Sequence, residues 1–234
     1  MSDAEKAQTS QASEVHAAPA RQFVNNYDAQ GYFAPRPSKI ANPGALGLFS
    51  FASTTFILSL YNVNARGIVV PNVVVGMAVF CGGLAQLLAG MWEFPRGNIF
   101  GATAFTSYGA FWMSYATILI PGSGIVDAYG ADATELNQAL GIYLITWFVV
   151  TSLLLIAALR RNIGFIALLF FLALTFLLLA IGAWQGTLAI TRAGGGFGIL
   201  TALIAYYCGL SELLVAGESW FGLPLGGIRQ AKAE

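Results

Sequence analysis

Apolar residues dominate six stretches of this chain, at about Gly44 to Val63, Val70 to Trp92, Ile99 to Ile120, Ala139 to Leu159, Ile163 to Trp184 and Gly194 to Gly217. Each is roughly 20 residues long, enough for a helix to cross a hydrocarbon core of about 30 Å. The pattern predicts an all-α polytopic membrane protein with six transmembrane helices. Residues 1–38 are polar by contrast, rich in Ala, Ser, Gln and Asn, and close on "YFAPRPSK", whose prolines favour an extended, disordered tail. No basic start leads into an apolar core there, so the tail does not read as a cleavable signal peptide. The expected organisation is a disordered cytoplasmic tail (1–38), a six-helix transmembrane domain (39–225) and a cytoplasmic C-terminal tail (226–234).

Polar residues punctuate the spans in two ways. Asn42 followed by Pro43, Asn98 after "FPRG" and Asn162 after Arg160-Arg161 stand where helix caps are needed, and predict tight connections before spans one, three and five. Inside the first span, Gly47, Phe51, Thr54 or Thr55, Leu58 and Asn62 recur at three- and four-residue steps and share one face, expected to look inward. In the third span Thr103, Thr106, Ser107 and Ser114 form a hydroxyl strip beside Tyr108, Phe111, Trp112 and Tyr115. A single hydroxyl of this kind usually bonds within a helix or to a neighbour, but two strips together favour a polar path. Gly76, Gly83 and Gly90 in the second span read as a packing seam, with Gln86 beside them either bonding between helices or facing a pore.

Composition agrees with a membrane chain: 57% of the 234 residues are hydrophobic and 9% charged, with mean hydropathy +0.69, against about 25% charged in soluble domains. Net charge is zero, which gives no surplus of cations for nucleic acid. The charges also orient the chain. With a cytoplasmic N-terminus, Arg36, Lys39, Arg96, Arg160, Arg161, Arg229 and Lys232 lie inside near the spans, and only Arg66 and Arg192 lie outside. Both termini are therefore expected in the cytoplasm.

Enzyme chemistry finds no support. The single histidine, His16, is in the tail, and no metal-ligand, Walker or dinucleotide pattern occurs, so no catalytic residue, metal or cofactor is expected. Cys81 and Cys208 read as small buried residues. Two acids at membrane depth stand out because ionisation there is costly. Glu93 is open between a functional role and an ion pair with Arg96, whereas Glu212 has no obvious base nearby and leans to function. No Lys or Arg falls within a predicted span, so an anion would rely on hydroxyls, amides, helix N-termini or an accompanying proton. A weak carboxylic acid suits such a lining.

Several stretches together resemble one family, the acetate uptake transporters, which includes bacterial acetate/succinate permeases and fungal ammonia and acetate relatives. Asn42 to Leu48, "NPGALGL", resembles the family's NPAPLGL signature, and Gly82 to Trp112 resembles its second-to-third helix region almost continuously. The likeness covers about residues 40–225. The second proline of the signature is Ala45 here, after Gly44, which is expected to loosen the helix start. The resemblance implies a six-helix protomer in a homo-hexameric ring, each protomer with its own pore for acetate and related small monocarboxylates. It also implies a hydrophobic constriction at Phe51, Tyr108 and Leu172, although composition alone makes span five the most lipid-facing helix. Asn42, Thr54, Thr55, Asn62 and Gln86 are expected to line or support the path, with Thr103, Ser107, Glu93 and Glu212 as further candidates. The expected function is acetate transport at the plasma membrane, as a channel or proton-coupled symporter. An acetate-responsive sensor and an ammonium exporter are the alternatives.

Overall fold

The computed structural model describes residues 40–130, 133–215 and 217–228, so the N-terminal tail and most of the C-terminal tail lie outside the described residues. Six long helices follow in order: α1 (Gly44–Asn62), α2 (Val74–Arg96), α3 (Ile99–Leu119), α4 (Ala133–Ala158), α5 (Ile163–Gln185) and α6 (Leu188–Leu213).

Their ends follow the capping chemistry. Asn98 Oδ1 accepts from Gly101 N at 3.2 Å and Asn162 Oδ1 from Phe165 N at 2.8 Å, each taking an N–H that the first helical turn leaves without a partner. Asn42 Oδ1 accepts from Gly44 N at 3.0 Å, with Pro43 at the cap position rather than inside the first turn. Gly97 and Gly186 end α2 and α5 in left-handed conformations, with φ 78° and 61°.

Two boundaries differ from the sequence pattern. α4 begins at Ala133, because Thr134, Glu135 and Gln138 are helix-compatible polar residues that hydropathy alone leaves in the loop. α6 runs from Leu188 to Leu213, starting before Gly194 and ending before Gly217, and so takes Arg192 into its first turns. By length and composition, every helix but α3 is apolar enough to cross a membrane. α3 is long enough at 21 residues, and it is its hydroxyls that lower its hydropathy.

The helices pack as α1 on α6, α6 on α5, α5 on α4 and α2 on α3, with α2 also against α1. Gly195 and Gly198 bring α6 within contact of Ser59 and Asn62 on α1, leaving no room for a Cβ. Gly90 admits Thr106 of α3 and Gly83 admits Met113, but Gly76 faces open space, so the seam on α2 is shorter than its seven-residue repeat suggests. The middle of α2, Met77–Ala85, is π-helical. Such wide turns are rare and occur mostly as single-turn bulges, often at functional positions.

Burial corrects two expectations. α5 is not the most peripheral helix: 39% of its most apolar window is buried, against 17% for α4. Leu168, Leu169, Leu172 and Phe176 of α5 all reach the core. Leu-rich composition cannot separate a lipid face from a core face, since both are equally apolar. Cys208 is buried as expected, but Cys81 is only half-buried.

Candidate functional site

Two chambers lie within the bundle, and α1 supplies a wall to both. The wider has a volume of about 370 Å³ and carries polar groups from Thr55, Ser59, Asn62, Asn137, Thr175 and Thr191 among apolar neighbours. The narrower, about 50 Å³, is lined by Gln86, Glu93, Asn98, Arg161 and Glu212, together with Tyr108 and aliphatic and phenylalanine side chains.

Phe51 lines both chambers. Its ring lies 5.5 Å from that of Tyr108, which belongs to the narrow chamber, while Leu172 belongs to the wide one. All three are buried, at 4%, 3% and 3% exposure. The Tyr108 hydroxyl donates to Thr151 Oγ1 at 3.0 Å, and its ring also meets Trp147, so the aromatic wall is held from α4. The sequence pattern singles out neither Thr151 nor Trp147, which stand in the predominantly apolar part of α4.

The narrow chamber opens toward a polar network that ties five segments together. Glu212 Oε2 accepts from Asn42 Nδ2 at 2.8 Å, Asn42 Oδ1 accepts from Arg96 Nη1 at 2.6 Å, and Arg96 Nη1 also donates to Glu93 Oε2 at 3.1 Å. Asn98 Oδ1 accepts from Arg161 Nη2 at 3.3 Å, and the Arg161 guanidinium stacks 4.2 Å from the Phe100 ring. Burial lowers the pKa of Arg161, while Glu212 and then Glu93 oppose that shift. The ion pair open to Glu93 therefore forms, and Glu212 acquires Asn42 as a partner. Arg161 and Asn98 are wall residues that the sequence offered only as a topological charge and a helix cap.

Gly44 gains a definite role in this network. A Cβ there would meet Glu212 Oε2 and, at 3.0 Å, Asn42 Oδ1, so the glycine makes room for the carboxylate instead of loosening the helix start.

The hydroxyls divide sharply. Thr55 Oγ1 is buried on the wide-chamber wall without a hydrogen-bond partner among the described residues. Thr54, one residue earlier, lines neither chamber; its hydroxyl donates to Ser50 O at 3.0 Å. Asn62 lines the wide chamber and Asn42 sits behind the narrow one. Thr103 is exposed and Ser107 half-buried, and neither lines a chamber, because the face of α3 turned inward carries Ala104, Phe105, Tyr108 and Phe111. Gln86 is 0% exposed, lines the narrow chamber, and has no partner among the described residues for either Nε2 or Oε1. Buried amides are almost always satisfied, so such a group marks a place where a ligand or water belongs.

Residues 23–229 match the GPR1/FUN34/yaaH family. The chain belongs to that family. Among its members, accumulation of dyads protein 2 of Saccharomyces cerevisiae is 53% identical over 74% of this chain; the match spans 62% of that relative, less than two thirds of its length. Acetate permease A of Emericella nidulans is 42% identical over 87% of this chain and 72% of its own. Among solved structures, that of the bacterial acetate channel SatP superposes with TM-score 0.71 at 37% identity, covering 80% of this chain and all of the other. This GPR1/FUN34/yaaH member thus shares the helical-bundle fold of that solved structure.

Proposed function

We propose that the protein carries acetate and similar small monocarboxylates across a membrane, passing them between the wide and narrow chambers at Phe51. The observation that carries this reading is Gln86. Its amide can accept an acid O–H at Oε1 while Nε2 donates to the acid's other oxygen, which matches a neutral carboxylic acid at both atoms. It can equally donate to a carboxylate. The narrow chamber's 50 Å³ exceeds the minimum of about 10–15 Å³ that a single water needs, so it has room for a small solute. Phe51, Tyr108 and Leu172 form an apolar constriction that excludes water while the acid passes. The relatives named for acetate support the same cargo. Thr55 and Asn62 serve as polar partners on the wide side, and Asn42, Glu93 and Glu212 support the narrow one.

The plasma membrane, cytoplasmic termini and a homo-hexameric ring complete the reading. It is supported by the cation bias of the loops and by outward apolar faces such as Ile142, Val149, Leu153 and Ile156 of α4, which suit lipid or a neighbouring protomer.

Gln86→Leu tests the site. Removing an amide with no protein partner leaves thermal stability in detergent unchanged or raised, because a buried unsatisfied group is lost. Acetate uptake by reconstituted protein falls about tenfold or more, as expected for a hydrogen bond to a carboxylate. Wild-type uptake by Q86L would contradict the assignment.

A further inference from the structure

The helix boundary that brings Arg192 into α6 has a functional counterpart. Arg192 Nε donates to Asn64 Oδ1 at 3.1 Å, and Asn64 Nδ2 in turn donates to Ile68 O at 3.1 Å, so the amide is fixed at both ends. Asn64 holds a left-handed conformation at φ 55°, and α6 is pinned against α1 at Gly195 and Gly198. The guanidinium is thereby held in place at the end of the bundle opposite Glu93.

It also stands beside the wide chamber, without being one of its wall residues. Leu188 and Thr191 line that chamber, and Arg192 follows Thr191 directly and Leu188 by one helical turn. The side chain is exposed, its Nη groups have no partner among the described residues, and the ion pair of Glu93 with Arg96 lies at the far end. Two described acids on this side, Glu135 and Asp127, do not line the chamber either. Glu135 is in the first turn of α4, but Asn137, Leu140 and Leu144, which line the chamber, stand roughly 140–200° around the helix from it. Asp127 sits in a short 3₁₀ turn, Asp127–Tyr129, that contributes no wall residue. The chamber wall offers Thr55 Oγ1, buried and without a partner among the described residues.

We infer that Arg192 is the anion-collecting residue of the wide chamber, drawing small carboxylate anions to its rim before they reach Thr55 and Phe51. This rests on the transport reading above and adds where the anion is first captured. A fixed cation at the mouth of a low-dielectric cleft raises the local anion concentration and the capture rate, in a manner that salt screens.

The test uses the full chain in liposomes, with initial uptake of labelled acetate at neutral pH measured across ionic strength at constant osmolality. In the wild type the KM rises with salt. Arg192→Gln raises KM about threefold or more at low salt and flattens the salt dependence, with maximal rate unchanged. Asn64→Asp does the same by a different route: it keeps the bond to Nε and cancels the charge with a carboxylate. Arg192→Lys retains both wild-type behaviours. The prediction holds for each neutralising variant separately, so either one decides if the other fails to fold. Wild-type KM and salt dependence in R192Q or N64D would overturn the inference while leaving transport intact. Absence of uptake by the wild type would overturn the transport reading itself, and this inference with it.

Discussion

At the scale of single residues, what matters is which polar atoms the bundle leaves without partners. Thr54 and Thr55 are adjacent and chemically identical, and periodicity could not choose between them. The structure bonds Thr54 to Ser50 O and leaves Thr55 Oγ1 on the wide-chamber wall. Thr55→Val is therefore nearly neutral for thermal stability and raises the KM for acetate about two- to tenfold, the worth of one hydrogen bond. Thr54→Val, which removes the bond to Ser50 O and a longer one to Met77 O at 3.5 Å, both away from the chamber walls, leaves KM unchanged; parallel kinetics on the two variants check this. Gly44 gives a second residue-scale prediction. Asn42 and Glu212 are coupled by about 0.5–1.5 kcal/mol in the present chain. Gly44→Ala, whose methyl group displaces the Glu212 carboxylate, brings that coupling near zero in a double-mutant cycle read by thermal unfolding in detergent. The replacement of the signature's residues at 44 and 45 was visible in the sequence. The carboxylate it accommodates lies 168 positions away and was not.

At the scale of elements, the caps were legible and the faces only partly so. Asn98 and Asn162 precede α3 and α5 as their chemistry demands. They differ in what else they hold, since Asn98 Oδ1 also accepts from Arg161. Asn162→Ala is expected to cost about 1 kcal/mol as a lost cap. Asn98→Ala costs more, because it also removes a partner of a charged, part-buried guanidinium. Thermal unfolding of the two variants side by side measures the difference. Hydrophobic pattern failed for α5 and α3 for the same reason: within a bilayer, polarity no longer marks the outward face. Leu172 is core although its surroundings are all leucine and phenylalanine, and Thr103 is exposed although it is a hydroxyl. The π-helical stretch Met77–Ala85, which packs against α1 and α3, has no sequence signal beyond its glycines.

At the scale of the whole molecule, six apolar stretches and three caps were enough to predict the helix count and order, and "NPGALGL" with the second-to-third helix region was enough to suggest the family. The arrangement of two unequal chambers around Phe51 was not readable, because it depends on α4 holding Tyr108 through Thr151, and neither was the course of the C-terminal segment. That segment runs back over the bundle: Ile163 N and Gly164 N donate to Gly226 O and Leu225 O, each at 3.0 Å, and Ser211 Oγ donates to Leu223 O at 2.6 Å. The central claim is that this bundle conducts acetate. Its most direct test is uptake of labelled acetate by the purified wild-type chain in sealed liposomes, with and without a pH gradient, compared with empty liposomes. The account predicts saturable uptake well above the empty control; uptake no greater than that control under both conditions would contradict it.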